Sequence, residues 1–264
     1  MLDTNFETIR WSFDQELKYG TITLDRPESL NALSKQLRRE YATCFRELQD
    51  RIEEGHDIRA VIVNGAGDRA FSVGADVNDS HDVPAGVSKP GGEYELAEEF
   101  SRPVIAKIDG YCLGGGLEMA LSCDFRFASE RSTLGQPEID LGIIPGGGGT
   151  QRLAELAGPS RAKELCMTGK HISAEEAKRD GIVNESVPAD NLNNHVIKFV
   201  RTISEKPPLA VQAVKDAVNA SFATDRELGR LYEHRTSRAL RYTDDHEEGV
   251  RAFREDIEPE WMGR

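Results

Sequence analysis

The sequence predicts an α/β fold in which βαβ units surround a largely parallel sheet, with a helical region at the C-terminal end. Short β-branched runs alternate with amphipathic segments over residues 1–190, a pattern typical of parallel strands joined by helices. The clearest run, Ile58–Asn64, is almost continuously apolar, as expected of a strand covered on both faces. Strand signals end near residue 190, and helical periodicity replaces them.

The remaining elements follow in chain order. Thr8–Phe13 and Tyr19–Leu24 predict a β-hairpin. Ser34 is a candidate N-cap, and a helix of about five turns follows it because apolar residues recur every three or four positions. The apolar face of this helix comprises Leu33, Leu37, Tyr41, Phe45, Leu48 and Ile52. Val104–Ile108 and Phe125–Ala128 predict two further buried strands.

The last part of the chain is predicted to be helical. The predicted helices are His195–Ile203, Leu209–Phe222, Glu227–Leu240 and Glu247–Ile257. Pro207 and Pro208 separate the first two. Ser80–Gly92 is rich in glycine and proline without periodicity, which predicts a mobile loop. We therefore divide the chain into a core, residues 1–190, and a helical region, residues 191–264.

Composition excludes several functional classes. The net charge of -13 and the pI near 5.0 argue against a nucleic-acid partner, since phosphate backbones require a basic face. No apolar run approaches the roughly 20 residues of a membrane helix, and the N-terminus lacks the pattern of an export signal. The four cysteines form no CxxC pair and the histidines have no metal-ligand spacing, which predicts no metal and a reducing, cytoplasmic compartment.

The acidic balance allows two interpretations. The chain has 46 acidic residues and only 10 lysines among its 33 basic ones. Such a surface would suit a salt-rich cytoplasm, where high charge keeps proteins dissolved. An ordinary acidic enzyme would have the same composition, so both interpretations remain open.

Two glycine-containing turns are candidates for an oxyanion hole. Gly114–Gly116 directly precedes the apolar helical run 117–121, so unpaired N–H groups at a helix N-terminus would lie beside glycine backbone. Phe71–Asp76 predicts a second strand-to-helix turn of the same kind. One N–H from each turn could bind a single carbonyl oxygen. The alternative is that both glycine groups serve only as tight turns.

Two carboxylates in apolar surroundings are candidates for acid–base catalysis. Glu118 follows the glycine triplet in an apolar helix, and Glu138 follows Pro137 in a segment that is mostly apolar through Ile144. Dry surroundings would separate their pKa values and give one acid and one base. Glu118 could instead serve only the electrostatics of its helix end. The nearby stretch Gly146–Thr150 lacks the Gly-Lys-Ser/Thr ending of a phosphate loop.

Over essentially its whole length, the chain resembles the crotonase (enoyl-CoA hydratase/isomerase) superfamily. Five segments carry the resemblance, in the family's order and with family-like spacing. They are DRPESLNALS at 25–34, AFSVGADV at 70–77, IDGYCLGGGLEMALSCD at 108–124, LGQPEIDLGIIPGGGGTQRL at 134–153 and TGKHISAEEAKRDGIVNESVP at 168–188. The resemblance implies a crotonase-like spiral of βαβ units and a helical C-terminal trimerisation region, giving a trimer or a dimer of trimers.

The resemblance also implies the site. The oxyanion-hole amides would fall on Ala75 and Gly115, and the two hydratase glutamates on Glu118 and Glu138. Residues matching those that contact substrate or coenzyme A (CoA) in relatives are Arg26, Ala32, Val73, Asp76, Val77, Asn78, Gly146 and Phe253. Relatives often place a lysine where this chain has Asp256, so Arg254 or Arg251 is the candidate cation for the CoA phosphates.

The resemblance implies a hydratase of trans-2-enoyl-CoA, as in fatty-acid β-oxidation, with no cofactor apart from the CoA of its substrate. A water between the carboxylates would add to the β-carbon, with Glu138 delivering the α-proton and Glu118 activating the water. A 3,2-enoyl-CoA isomerase, which can work with Glu138 alone, and a hydratase of branched or dicarboxylic acyl-CoA are the alternatives. An RNA-binding protein of the same fold and an inactive scaffold are more remote.

Overall fold

A computed structural model describes Leu2 and residues 5–79 and 92–264. The predicted loop Ser80–Gly92 lies outside these residues, apart from Gly92. The strands are β1 (Ile9–Asp14), β2 (Tyr19–Leu24), β3 (Ala60–Gly65), β4 (Ala70–Ser72), β5 (Val104–Ile108), β6 (Tyr111–Leu113), β7 (Phe125–Ser129), β8 (Thr133–Gly135), β9 (His171–Ser173) and β10 (Glu185–Val187).

The helices lie between and after these strands. They are α1 (Lys35–Glu53), α2 (Leu96–Glu99), α3 (Gly115–Ser122), α4 (Gly149–Thr168), α5 (Ala174–Arg179), α6 (Ala189–Ser204), α7 (Pro208–Ala223), α8 (Arg226–Leu240) and α9 (Asp244–Glu255). Helix α4 contains a kink at Gly158, where φ is +80° and the next residue is Pro159. Short 3₁₀ turns cover Pro27–Ser29, Gly92–Tyr94 and Pro137–Leu141.

The strands form two sheets. The larger has the order β1-β2-β3-β5-β7-β10 and is parallel except for the β1–β2 hairpin. The smaller has the order β4-β6-β8-β9, with an antiparallel β8–β9 pair. Strands β3 to β8 alternate between the two sheets, so each turn of chain adds one strand to each. This is the predicted crotonase-like spiral.

Local sequence explains the N-terminal elements. The predicted hairpin is present, with Ile9 opposite Leu24 and Asp14 opposite Tyr19. The Ser34 side chain accepts a hydrogen bond from the Leu37 N–H and caps α1, as predicted. The predicted apolar face of α1 is buried except at Ile52, which packs partly against the core. The short strands β4, β6 and β8 were not predicted, because three residues show no recognisable periodicity.

The helical region begins against the larger sheet. Three α6 side chains, Leu192, Val196 and Val200, pack on apolar residues of strands β3, β5 and β7. Helix α7 is attached by Lys215, whose buried Nζ donates to Asp124 Oδ2 at 2.9 Å and to the Ala97 carbonyl at 2.7 Å. The division at residue 190 stays a prediction. None of the helices within the described residues combines the length and apolar character needed to cross a bilayer.

Candidate active site

The two predicted oxyanion-hole turns lie against each other. Gly114 has φ +53° and forms the N-terminal boundary of α3, and Gly74 has φ +89°. A Cβ on Gly74 would lie 2.9 Å from the Gly115 nitrogen, so only glycine permits this approach. The prediction that Phe71–Asp76 leads into a helix was wrong. Residues 73–79 contain no helix, because Ala75 pairs with Leu33 in a parallel bridge.

Both candidate amides are oriented away from the local backbone pairing. The Leu33 N–H donates to the Gly74 carbonyl at 2.8 Å, and the Asp76 N–H donates to the Leu33 carbonyl at 3.3 Å. Since successive N–H groups alternate in direction along extended backbone, the Ala75 N–H points away from Leu33. Gly115 is the first residue of α3, so its N–H has no acceptor within the helix. The two amides can therefore serve an external acceptor.

Glu118 is held by the backbone of the glycine-rich loop before α4. Its side chain is 3% exposed, and its Oε1 accepts hydrogen bonds from Gly147 N at 2.7 Å and Gly149 N at 2.9 Å. A Cβ on Gly147 would lie 2.8 Å from Glu118 Oε2, so this loop approaches the carboxylate closely. Burial raises the pKa of Glu118, whereas the two amides and Arg152 act in the opposite direction.

Glu138 occupies a different setting, in the 3₁₀ turn Pro137–Leu141. It is half-buried, and a Cβ on Gly114 would lie 3.3 Å from its Oε1, which places it beside the oxyanion-hole turn. The buried Gln136 amide, oriented to satisfy its hydrogen bonds, donates to both Glu138 oxygens at 2.9 and 3.0 Å. Burial, and to a smaller degree the charge of Glu118, raise the pKa of Glu138 to about 7.

The apolar residues after Glu138 differ from expectation. Their sequence predicts dry surroundings for the carboxylate. In the structure Leu141, Ile143 and Ile144 are exposed. The residues that lie close to the Glu138 carboxylate are instead Gly114 and Gln136.

Sequence reasoning missed several residues of this site. Tyr94 is buried between the start of α3 and the glycine-rich loop that holds Glu118. A Cβ on Gly115 would lie 2.7 Å from the Tyr94 hydroxyl, and one on Gly147 would lie 2.5 Å from its ring. Among the described residues its hydroxyl has no hydrogen-bond partner, and burial raises its pKa. Gln136 and the donors Gly147 and Gly149 were also missed. The glycine run was visible in the sequence, but nothing in it indicated a carboxylate 29 residues earlier as its partner.

Several of the residues predicted to contact substrate or CoA lie together in the structure. Arg26 Nη1 donates to Asp76 Oδ2 at 2.9 Å and to the Ala32 carbonyl at 2.7 Å, which joins three of the predicted residues. The Asn78 N–H donates to Asp76 Oδ1 at 3.1 Å. Val73 lies at the same turn, half-buried, and Val77 there is exposed.

The other predicted substrate contacts lie apart from this cluster. Gly146 is exposed at the start of the loop that holds Glu118. Phe253, 88% exposed on α9, lines a groove with Pro207 and Trp261. Of the two candidate cations, Arg251 already pairs with Glu248 and Glu255. Arg254 has no ion pair within the described residues, so it is the better candidate.

The adjoining turns and the two carboxylates form an arrangement that can polarise a carbonyl and move protons beside it. The family model of enoyl-CoA hydratase/isomerase matches residues 16–264, and the chain belongs to this family.

Curated relatives and solved structures agree with this assignment. The chain is 37% identical to a probable enoyl-CoA hydratase of Mycobacterium bovis, over 98% of this chain and 99% of the relative. It is 36% identical to a short-chain-enoyl-CoA hydratase of Clostridium acetobutylicum, over 91% of this chain and 92% of the relative. The crystal structure of enoyl-CoA hydratase from Bacillus anthracis superposes with a TM-score of 0.90 at 36% identity, covering 98% of this chain and 100% of that one.

Proposed function

We propose that this enzyme is a hydro-lyase that adds water to trans-2-enoyl-CoA thioesters to give 3-hydroxyacyl-CoA. The observation that carries the proposal is the placement of two differently held carboxylates beside two backbone amides that have no hydrogen-bond acceptor among the described residues. Glu118 contacts the loop Gly147–Gly149, and Glu138 contacts Gly114 next to the Gly115 amide. Such an arrangement combines carbonyl polarisation with acid–base chemistry at adjacent carbons.

The reaction begins with polarisation of the thioester. Its carbonyl oxygen accepts hydrogen bonds from the Ala75 and Gly115 N–H groups, which draws electrons from the conjugated double bond and makes the β-carbon electrophilic. Negative charge that develops on the oxygen also lies near the positive N-terminal end of α3. The chain's own backbone supplies this stabilisation, and we propose that the enzyme uses no cofactor beyond the CoA of its substrate.

Water addition then uses both carboxylates. Ionised Glu118 accepts a proton from water as the water oxygen bonds to the β-carbon, and protonated Glu138 gives its proton to the α-carbon. The π electrons of the double bond form the new C–H bond, and proton exchange with solvent restores both carboxyl groups. The raised pKa of Glu138, about 7, keeps a large protonated fraction near neutral pH. The amides on Glu118 favour its ionised form.

Hydration of enoyl-CoA can be tested directly. Purified protein is given crotonyl-CoA and longer trans-2-enoyl-CoA esters, and the loss of enoyl-thioester absorbance is followed. We expect turnover, with short chains preferred because a relative is named for short-chain substrates. In parallel, 3-enoyl-CoA distinguishes the isomerase, which would increase conjugated absorbance. Isomerisation without hydration, or no turnover of any ester, would overturn the proposal.

We also propose a homo-oligomer, a trimer or a dimer of trimers, acting in the cytoplasm in fatty-acid β-oxidation. Exposed apolar residues at helical spacing support the oligomer: Val214, Val218 and Phe222 on α7, and Leu228 and Leu231 on α8. Light scattering coupled to size exclusion would give three or six times 29.3 kDa. A mass of one chain at micromolar concentration would contradict the oligomer without affecting the hydratase.

A further inference from the structure

Arg152 links the glycine-rich loop to helix α2. Its Nη1 donates to the Gly147 carbonyl at 3.0 Å. Its Nε and Nη2 both donate to Glu98 Oε2, at 3.0 and 2.5 Å. The Arg152 side chain is 14% exposed, whereas Glu98 is 43% exposed and lies toward solvent. The guanidinium therefore connects a loop carbonyl on one side to a carboxylate on another element.

The position of the Gly147 carbonyl gives this link its importance. The peptide units 146–147 and 148–149 carry the two N–H groups that bind Glu118. The carbonyl bound by Arg152 belongs to the unit between them, 147–148. Gly148, with φ +99°, bounds α4 and provides no side-chain cap. Because glycine backbone is intrinsically free to change conformation, an external contact is needed to fix both donors.

We infer that Arg152 is a positioning residue for Glu118: it holds the loop Gly147–Gly149 in the conformation that directs two amides at the carboxylate, and Glu98 orients Arg152. This inference rests on the proposed hydration, in which ionised Glu118 receives the proton of water.

The charge of Arg152 favours the ionised form of Glu118, as do the two amides that Arg152 positions. The charge of Arg152 lowers the pKa of Glu118 and opposes the effect of burial. Other titratable groups also face this region: Glu93 raises the pKa of Glu118, and Glu118 in turn raises those of Tyr94, Glu138 and Cys166. Loss of Arg152 would leave these groups in place and remove a cation, so Glu118 would ionise at higher pH.

The test compares hydration by wild type, Arg152→Gln, Arg152→Lys and Glu98→Gln across pH. Arg161→Gln is the matched control, because Arg161 lies on the same helix, is 18% exposed and also pairs with carboxylates, Glu164 at 2.6 Å and Asp180 at 2.7 Å. Circular dichroism first establishes that each variant is folded. Arg152→Lys keeps the charge, and Glu98→Gln keeps Arg152, so the inference stays testable if Arg152→Gln does not fold.

We expect kcat to fall by about 10- to 100-fold in Arg152→Gln, the scale of a small displacement of a catalytic group, with little change in KM. The acid limb of its pH–rate profile should move to higher pH. Arg152→Lys should recover part of the loss, and Glu98→Gln should show a smaller decrease. A profile that coincides with wild type, or an equal change in Arg161→Gln, would overturn the inference.

A second readout does not depend on activity. Protein labelled with ¹³C at glutamate carboxyls is titrated by NMR, and Glu118→Gln identifies the Glu118 resonance. In Arg152→Gln we expect this resonance to titrate at higher pH than in wild type. An inactive wild type would refute the proposed hydration, yet this measurement would still report on Arg152. An unchanged Glu118 titration would refute the inference alone.

Discussion

The two carboxylates of the site occupy contrasting regions. Glu118 lies in a regular helix, where burial raises its pKa while two backbone amides and the nearby Arg152 oppose that shift. Glu138 lies in a 3₁₀ turn, where burial raises its pKa to about 7 and the Gln136 amide acts in the opposite direction. Identical functional groups thus differ in their readiness to lose a proton. In the proposed mechanism this difference in surroundings, rather than the residue type, makes Glu118 the base and Glu138 the acid.

The strongest test of this contrast is removal of the acid. Glu138→Gln keeps the shape and the contact with Gly114 but has no transferable proton. We expect hydration to fall by about three orders of magnitude or more, which reflects the contribution of a proton donor, while acyl-CoA binding survives. Turnover of crotonyl-CoA and calorimetric binding of a product analogue measure the two effects. Turnover close to wild type would show that Glu138 is not the acid.

The next test concerns the amide between the carboxylates. Gly115→Pro removes the proposed oxyanion donor at the first position of α3, where proline suits the helix. We expect kcat to fall by about 100- to 1,000-fold, or roughly 3 kcal/mol or more. Gly115→Pro is made together with Tyr94→Phe, because a Cβ at this position would meet the Tyr94 hydroxyl at 2.7 Å; the double variant Gly115→Ala with Tyr94→Phe is the matched control that retains the N–H.

Circular dichroism must show that Gly115→Pro is folded before its kinetics are interpreted. A folded variant with full activity would place the oxyanion donor elsewhere. If the alanine variant lost as much activity as the proline variant, the effect would come from packing rather than from the N–H.

Stability gives a smaller test of the Glu138 environment. Its pKa is higher in the folded protein, about 7, than its ordinary value of 4.5, so folded protein binds more protons between these values. The stability contributed by neutral Glu138 is present below pH 4.5 and is lost as pH rises through 7. Glu138→Gln avoids this loss. After discounting for solvent screening, about 1 kcal/mol corresponds to a melting temperature roughly 2–4 °C higher than wild type at pH 8.

Thermal unfolding at pH 5 and pH 8 checks this prediction, and the difference should narrow at pH 5. Glu164→Gln is a control of opposite sign, because Arg161 lowers the pKa of exposed Glu164. A difference from wild type that is the same at pH 5 and pH 8 would mean that burial of the Glu138 charge carries no cost.

The smallest expected effect is that of salt, which should act on the acidic surface but hardly on Glu118 and Glu138. Surface charges repel less as the Debye length falls from about 10 Å at 0.1 M to about 3 Å at 1 M, so we predict higher melting temperature and activity in molar KCl. The pH at which Glu118 and Glu138 act should move little, since buried and partly buried groups are screened much less than exposed ones. A thermal-shift series at fixed pH checks the first part. A melting temperature that is flat or falls with KCl would favour an ordinary acidic enzyme.

The elements that could be predicted from the sequence are those specified by residues close together in the chain. The hairpin, helix α1 and strand β3 follow from periodicity and from the Ser34 cap, because each is specified by adjacent residues. Strands β4, β6 and β8 were not predicted, because strands of three residues are stabilised by neighbouring strands of the second sheet rather than by a local sequence pattern.

The same distinction holds within the site. Glu118 and Glu138 became candidates from the residues next to them in sequence, but the backbone donors that contact Glu118 were not predicted. The amides of Gly147 and Gly149 reach Glu118 only after the chain has formed β7 and β8 and returned. Tyr94 follows a stretch of sequence rich in glycine and proline, and no sequence pattern marks it as a residue that packs between Gly115 and Gly147. Long-range geometry of this kind leaves no periodic signal.

The spiral also determines how quickly the molecule can assemble. Neighbouring strands of the larger sheet are distant in sequence: Tyr19 pairs with Ala60, and Phe127 pairs with Glu185. Each such pairing must close a long loop before it gains contacts, so a chain of this topology folds slowly compared with a helical bundle. The hairpin β1–β2 can form early, whereas the catalytic centre needs several completed turns. Until then, the apolar strands are exposed to other chains, and refolding at low protein concentration should give the higher yield.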